Sequence, residues 1–140
     1  MTIFSLIYFG IVSLVSTIYA IFGLMMKIPD QHGLWKIEII TRCLLHWLGL
    51  IGSIGLIIKK TWANKTILLS SASIGFFTIL VMAIQFFLFW RASRYSNIIQ
   101  VFSGTIMINI NQIVTLLIVT TIFFHFKKHP IKVPQYRSTE

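Results

Sequence analysis

Thr66–Trp90 reads TILLSSASIGFFTILVMAIQFFLFW, 25 residues without a single charge. About 20 apolar helical residues cross the hydrocarbon core of a bilayer, so this segment alone is long enough to span one. Working outward, three further segments read the same way, at 3–26, 37–58 and 98–126. The polar links between them hold almost all the charge. Of 140 residues, 56% are hydrophobic and only 11% charged, and the mean hydropathy is +0.86. A soluble chain of this length has no use for four such segments. The expected fold is an all-α integral membrane protein, a four-transmembrane-helix bundle with short links. Residues 1–128 form the membrane domain. Residues 129–140, broken by Pro130 and Pro134, form a short basic tail too polar to fold alone. No segment outside the spans can bury a core of its own.

The formal charge of +9 and pI near 10.1 would suggest nucleic acid in a soluble protein. In a chain of spans, basic residues at helix ends fix orientation and meet anionic headgroups instead, and no nucleic-acid partner is expected. With four spans the N-terminus, the second link and the tail share one side, with Lys59, Lys60, Lys65, Lys127, Lys128, Lys132 and Arg137. The other side carries Lys27, Lys36, Arg42, Arg91 and Arg94, beside Asp30 and Glu38. The bias favours both termini in the cytoplasm and a multi-pass location in a cell (plasma or inner) membrane. Trp35, Trp62 and Trp90 fall at span ends, where indole rings prefer the headgroup layer, whereas Trp47 lies inside its span. Pro29 belongs to the first link. The sequon Asn64-Lys65-Thr66 would face the cytoplasm and stay unmodified. The first span has no basic residue before it and is followed by Lys27, so it reads as a retained helix, not a cleaved signal peptide.

Polar residues inside a span are costly and face the bundle interior. In the second span Glu38, Arg42 and His46 recur at i, i+4, and Gly49 and Ser53 continue that face. Structurally, Glu38 neutralises Arg42, which snorkels outward, and His46 makes one interhelical hydrogen bond. Functionally, the three form a polar pocket open to the outer face. The structural reading carries more weight in the sequence. The fourth span adds Asn109, Asn111 and Gln112, with Thr105 and Thr115 to either side. Asn109 and Gln112 share a face by i, i+3, and Asn111 points elsewhere. At 1.5 Å per residue, His46 and Asn109 lie about 14 and 16 Å from the outer ends of their helices and can meet at one depth. Gln85 and Tyr19 lie nearer the outer surface, close to the level of Arg42.

Gly49, Gly52 and Gly55 make the second span a packing helix, Gly49 with Ser53 forming a small-xxx-small pair, and Ser71 and Gly75 do likewise on the third. Such faces serve the bundle itself or a partner. No internal repeat relates the two halves.

The chemistry available is limited. Cys43 is the only cysteine, which excludes an internal disulfide and a thiolate metal site. Internal haem ligation fails because His46 and His125 are separated by about 25 Å along the bundle, and His32 and His129 lie in links on opposite sides. Three carboxylates, Asp30, Glu38 and Glu140, are too few and too scattered for metal hydrolysis. No Ser-His-Asp set or glycine-rich phosphate loop is present. Neither enzymatic activity nor a cofactor is expected. Cation-coupled transport wants an intramembrane carboxylate, and Glu38 sits at the edge.

The first functional expectation is a non-enzymatic protein acting by protein contact in the membrane, as an accessory or assembly subunit or an immunity-type protein, with a membrane protein or a second copy as partner. The second is a small-solute or proton-linked transporter or channel along the second and fourth spans. A membrane-permeabilising protein of phage type is a third and weaker fit.

Overall fold

The computed structural model describes residues 1–25, 34–92 and 109–130. Within them the chain is helical: α1 Thr2–Met25, α2 Leu34–Ile57, α3 Ala63–Ala92 and α4 Ile110–Lys128. No strand occurs among the described residues. Four of these helices are long and apolar enough to cross a membrane. Their 24, 24, 30 and 19 residues correspond to about 36, 36, 45 and 28 Å, against a hydrocarbon core of about 30 Å. The first three expected spans differ from these helices by up to three residues at each end. The first link with Pro29, residues 98–108 of the expected fourth span with Thr105, Arg94, and the tail beyond Pro130 lie outside the described residues.

The last helix departs from the sequence reading. Within the described part of the expected span 98–126 the helix starts at Ile110, and Asn109 before it is a turn residue with φ −107° and ψ 17°. Its carbonyl accepts the Gln112 and Ile113 amides, and the Asn111 side-chain oxygen accepts the Gln112 N–H at 2.9 Å. Asparagine side chains compete with helical backbone bonds and favour helix starts. Hydropathy is blind to this. The three amides therefore mark the beginning of α4, not its middle.

Consecutive helices pack side by side, and the contacts show them antiparallel. Ser5 meets Ser53, Phe9 meets Gly49 and Thr17 meets Trp47 between α1 and α2. Gly55 meets Ala63, Gly52 meets Ile67, and Ser70 meets Leu45 between α2 and α3. The interior is mixed and the outside apolar: Ser5, Ser13, Ser53, Ser70, Ser71 and Thr78 are buried beside an apolar core that includes Phe9, Ile67, Ile74, Val119, Ile122 and Phe126, whereas Ile7, Ile11, Leu14 and Ile18 form an exposed stripe on α1. Small buried residues and an apolar exterior suit lipid, where close approach and interhelical hydrogen bonds supply packing force.

The glycines on α2 mark the tightest contacts. A Cβ at Gly52 would lie 2.8 Å from Ile67 Cγ1 and 3.1 Å from the Ile67 backbone nitrogen. One at Gly55 would lie 2.8 Å from the Trp62 ring and 2.9 Å from Ala63 Cβ. Gly49 receives the fully buried Phe9 ring, whose nearest carbons would be 2.5 Å from an added Cβ. Gly75 is different, since a Cβ there would make ordinary contacts of 3.8 and 3.9 Å with Leu116 and Val119.

The α2–α3 link is short because α2 ends in a Schellman turn. Lys60 N–H bonds the Gly55 carbonyl at 2.8 Å and Lys59 N–H that of Leu56 at 3.1 Å, the paired pattern that closes a helix through a left-handed residue. That residue is Lys59, at φ 54°, where glycine is the usual occupant.

Candidate functional site

Among the described residues, α1, α2 and α4 line a half-open cavity of about 410 Å³ at the end of the bundle where α2 and α4 begin. α2 contributes Glu38, Ile39, Arg42 and His46; α4 contributes Asn111, Gln112 and Thr115 from its first two turns; α1 contributes Val12, Val15, Ser16 and Tyr19. From Glu38 to His46 the α2 stripe runs about 12 Å along the axis.

Each polar wall has a local cause. Glu38 and Arg42, one helical turn apart, form an ion pair with Arg42 Nε 3.1 Å from Glu38 Oε1, each side chain about a fifth exposed (20% and 23%). Arg42 Nη2 is buried without a hydrogen-bond partner. His46 is buried, and its Nδ1 lies 2.7 Å from the Arg42 carbonyl oxygen. A carbonyl only accepts, so Nδ1 carries a proton and donates it. Nε2 too is buried and unpartnered. The interhelical hydrogen bond expected of His46 is thus replaced by a bond within its own helix. The Tyr8 and Phe9 rings flank His46 with centroids 6.2 and 6.4 Å away. Tyr8 faces Thr115 of α4, but its hydroxyl does not reach hydrogen-bonding geometry. Gln112 is 7% exposed, and its Oε1 has no partner. One α2 turn beyond His46 the Phe9 ring seals the floor against Gly49.

The residues singled out in the sequence separate into three groups. Glu38, Arg42, His46, Asn111 and Gln112 share the cavity. Asn109 is buried at the start of α4, and Gln85 is half-buried on α3; neither lines it. Asn111, expected to point away from Gln112, lies with it, because both belong to the first turn of α4. Gly49, Gly52, Ser53 and Gly55 are engaged within the chain by Phe9, Ile67, Ser5, Trp62 and Ala63. Ser71 is buried with its hydroxyl unpartnered, and Gly75 faces α4. The contribution of α1 was missed except for Tyr19. Tyr8, Val12, Ser16 and Tyr19 follow i, i+4, i+4, i+3 spacing, a one-face signal hidden by the overall apolarity of that span.

Among the described residues no group of three or more His, Cys, Asp or Glu side chains could hold a metal ion. His125 and His129 stand one turn apart at the far end of α4, their ring centroids 5.3 Å apart, away from the cavity. Compared with known protein families, curated proteins and solved structures, the chain matches none.

Proposed function

We propose that this chain is a four-span membrane protein that admits a small polar solute to the cavity between α1, α2 and α4 and moves it across the bilayer. The supporting observation is the cavity itself: charged and polar side chains from α2 and α4 around about 410 Å³ of unfilled space, inside a bundle whose outer surface is apolar. Ionisable groups at membrane depth are expensive, and they mark solute and ion paths when they line open space. The Lys59–Lys60 and Lys127–Lys128 pairs lie at the opposite end of the bundle. Basic residues at helix exits favour the cytoplasmic side, so the cavity opens outward and both termini are cytoplasmic in a cell membrane.

A role through protein contact draws less support than the sequence alone gave it. Part of its argument was the glycine-rich faces, beside the buried amides, the small soluble mass and the lack of catalytic chemistry, and Gly49, Gly52 and Gly55 are already filled by side chains of the same chain.

The experiment is solute flux in liposomes containing the purified protein, challenged with osmotic gradients of small charged and uncharged solutes. At least one solute should equilibrate faster than in protein-free vesicles, and His46→Phe should remove that gain while the protein still assembles. Equal rates for every solute would end this reading. Flux unchanged by His46→Phe would remove His46 from the path.

A further inference from the structure

We infer that His125 and His129 form a two-histidine site for a divalent transition metal of the zinc class. It goes beyond the solute-cavity reading and does not depend on it, since the pair stands at the opposite end of α4. Local chemistry builds the pair. The i, i+4 spacing stacks the two side chains on one face of a helix. Pro130 follows, and a residue before proline is pushed out of the α region; His129 accordingly leaves the helix at φ −124° and ψ 69°. Its N–H still bonds the His125 carbonyl at 2.8 Å, which holds the one-turn register. His125 is half-buried, in a T-shaped contact with the buried Phe126 ring. His129 is exposed, so water and ions reach the pair.

The separation of the rings fits a shared metal. Zinc–imidazole bonds of about 2.0–2.1 Å, added to an imidazole ring radius of about 1.15 Å, put the metal about 3.2 Å from each ring centre. Centroids 5.3 Å apart then subtend about 110° at the metal, the tetrahedral angle that zinc adopts. Histidines one helical turn apart are also the zinc ligands of H-E-x-x-H helices, and imidazole nitrogen suits Zn2+, Ni2+ and Cu2+. Among the described residues no third His, Cys, Asp or Glu joins the pair, so water takes the remaining positions and the affinity is modest. The surrounding charge permits a cation. The carbonyl end of a helix attracts positive charge, and α4 ends here. Lys127 holds its ammonium 5.8 Å from the Phe123 ring centroid, on the other side of the helix from His125. Lys128 is exposed, where salt and water screen it.

The test is zinc titration of the full chain, purified without a histidine tag, in competition with a chromophoric chelator. One Zn2+ should bind per chain. Losing even an outer-shell partner of a metal ligand weakens affinity about 10–100-fold, so His125→Ala and His129→Ala should each weaken it at least about tenfold, although His32 and His46 remain. A second variant keeps the number of histidines. His129→Ala combined with Lys127→His spaces two imidazoles i, i+2, on different faces, and should bind as weakly as His129→Ala alone.

Wild-type affinity in that double variant would overturn the one-turn geometry. Affinity unchanged by either alanine would put the metal elsewhere, and no saturable binding below about 1 mM would remove the site. Half a zinc per chain would mean that a second copy completes the shell, overturning the water-completed site. Liposome flux is read separately, so none of these results bears on the cavity.

Discussion

The two ends of the bundle use the same helices in opposite ways. At the end with the α2–α3 turn, Gly52 and Gly55 let α3 approach until an added Cβ would meet its side chains within 3 Å. Phe126, Ile122 and Val119 of α4 and Ile67 and Ile74 of α3 are buried in the apolar core. At the end where α2 and α4 begin, the same α2 carries long polar side chains, and the helices stand apart around open space. Residue size sets the separation of helices in lipid, because small residues are what permit close approach. A single helix can thus hold a bundle shut at one end and open at the other.

The largest expected effect comes from forcing the closed end apart. Gly52→Leu puts a branched side chain against the Ile67 backbone and should destabilise the protein by about 3 kcal/mol or prevent assembly, measured by reversible detergent unfolding. Wild-type stability would mean that α2 and α3 are not in close contact. Lys59→Gly acts in the opposite direction. It relieves a left-handed backbone position that costs a side-chain-bearing residue about 1 kcal/mol, so the α2–α3 hairpin should gain about that much; no gain would refute the Schellman turn. Ser70→Ala removes the interhelical bond to the Leu45 carbonyl, 2.7 Å long, and should cost about 0.6 kcal/mol, the average for hydrogen bonds between membrane helices. The smallest effect belongs to the open end. Ser16 bonds only its own helix, at the Ser13 carbonyl, so Ser16→Ala should change stability by less than about 0.5 kcal/mol. A loss as large as that of Ser70→Ala would show that the cavity wall is packed after all.

The sequence was informative where a single physical scale decides the outcome. Absence of charge over Thr66–Trp90 specifies a long apolar helix whatever its neighbours, and the i, i+4 spacing of Glu38, Arg42 and His46 places them on one stripe without tertiary information. The start of α4 was not legible, because residues on both sides of Asn109 are equally apolar and the break is made by local hydrogen bonds. The destination of the α2 glycines was not legible either: small residues announce a close approach but do not say to what. Phe9 and Trp62 supply much of that answer, and in the sequence Phe9 is one apolar residue among many and Trp62 a headgroup-layer aromatic at a span end. The cavity combines these cases. Its α2 wall was visible, its α4 wall was assigned too deep in the helix, and its α1 wall was concealed among apolar residues.

The hydroxyls of α1 bear on how the protein is made. Ser5, Ser13, Ser16 and Thr17 each donate to a carbonyl three or four residues back in their own helix, so these four hydroxyls need no partner from another helix. The charged and imidazole groups of α2 have no such local remedy, with Arg42 Nη2 and His46 Nε2 unmatched. A helix whose serine and threonine hydroxyls are bonded within it can wait in lipid for one whose polar groups are not. The order in which the ribosome delivers them, α1 first, gives α2 a ready neighbour in Thr17, whose hydroxyl accepts the Trp47 indole N–H at 2.9 Å.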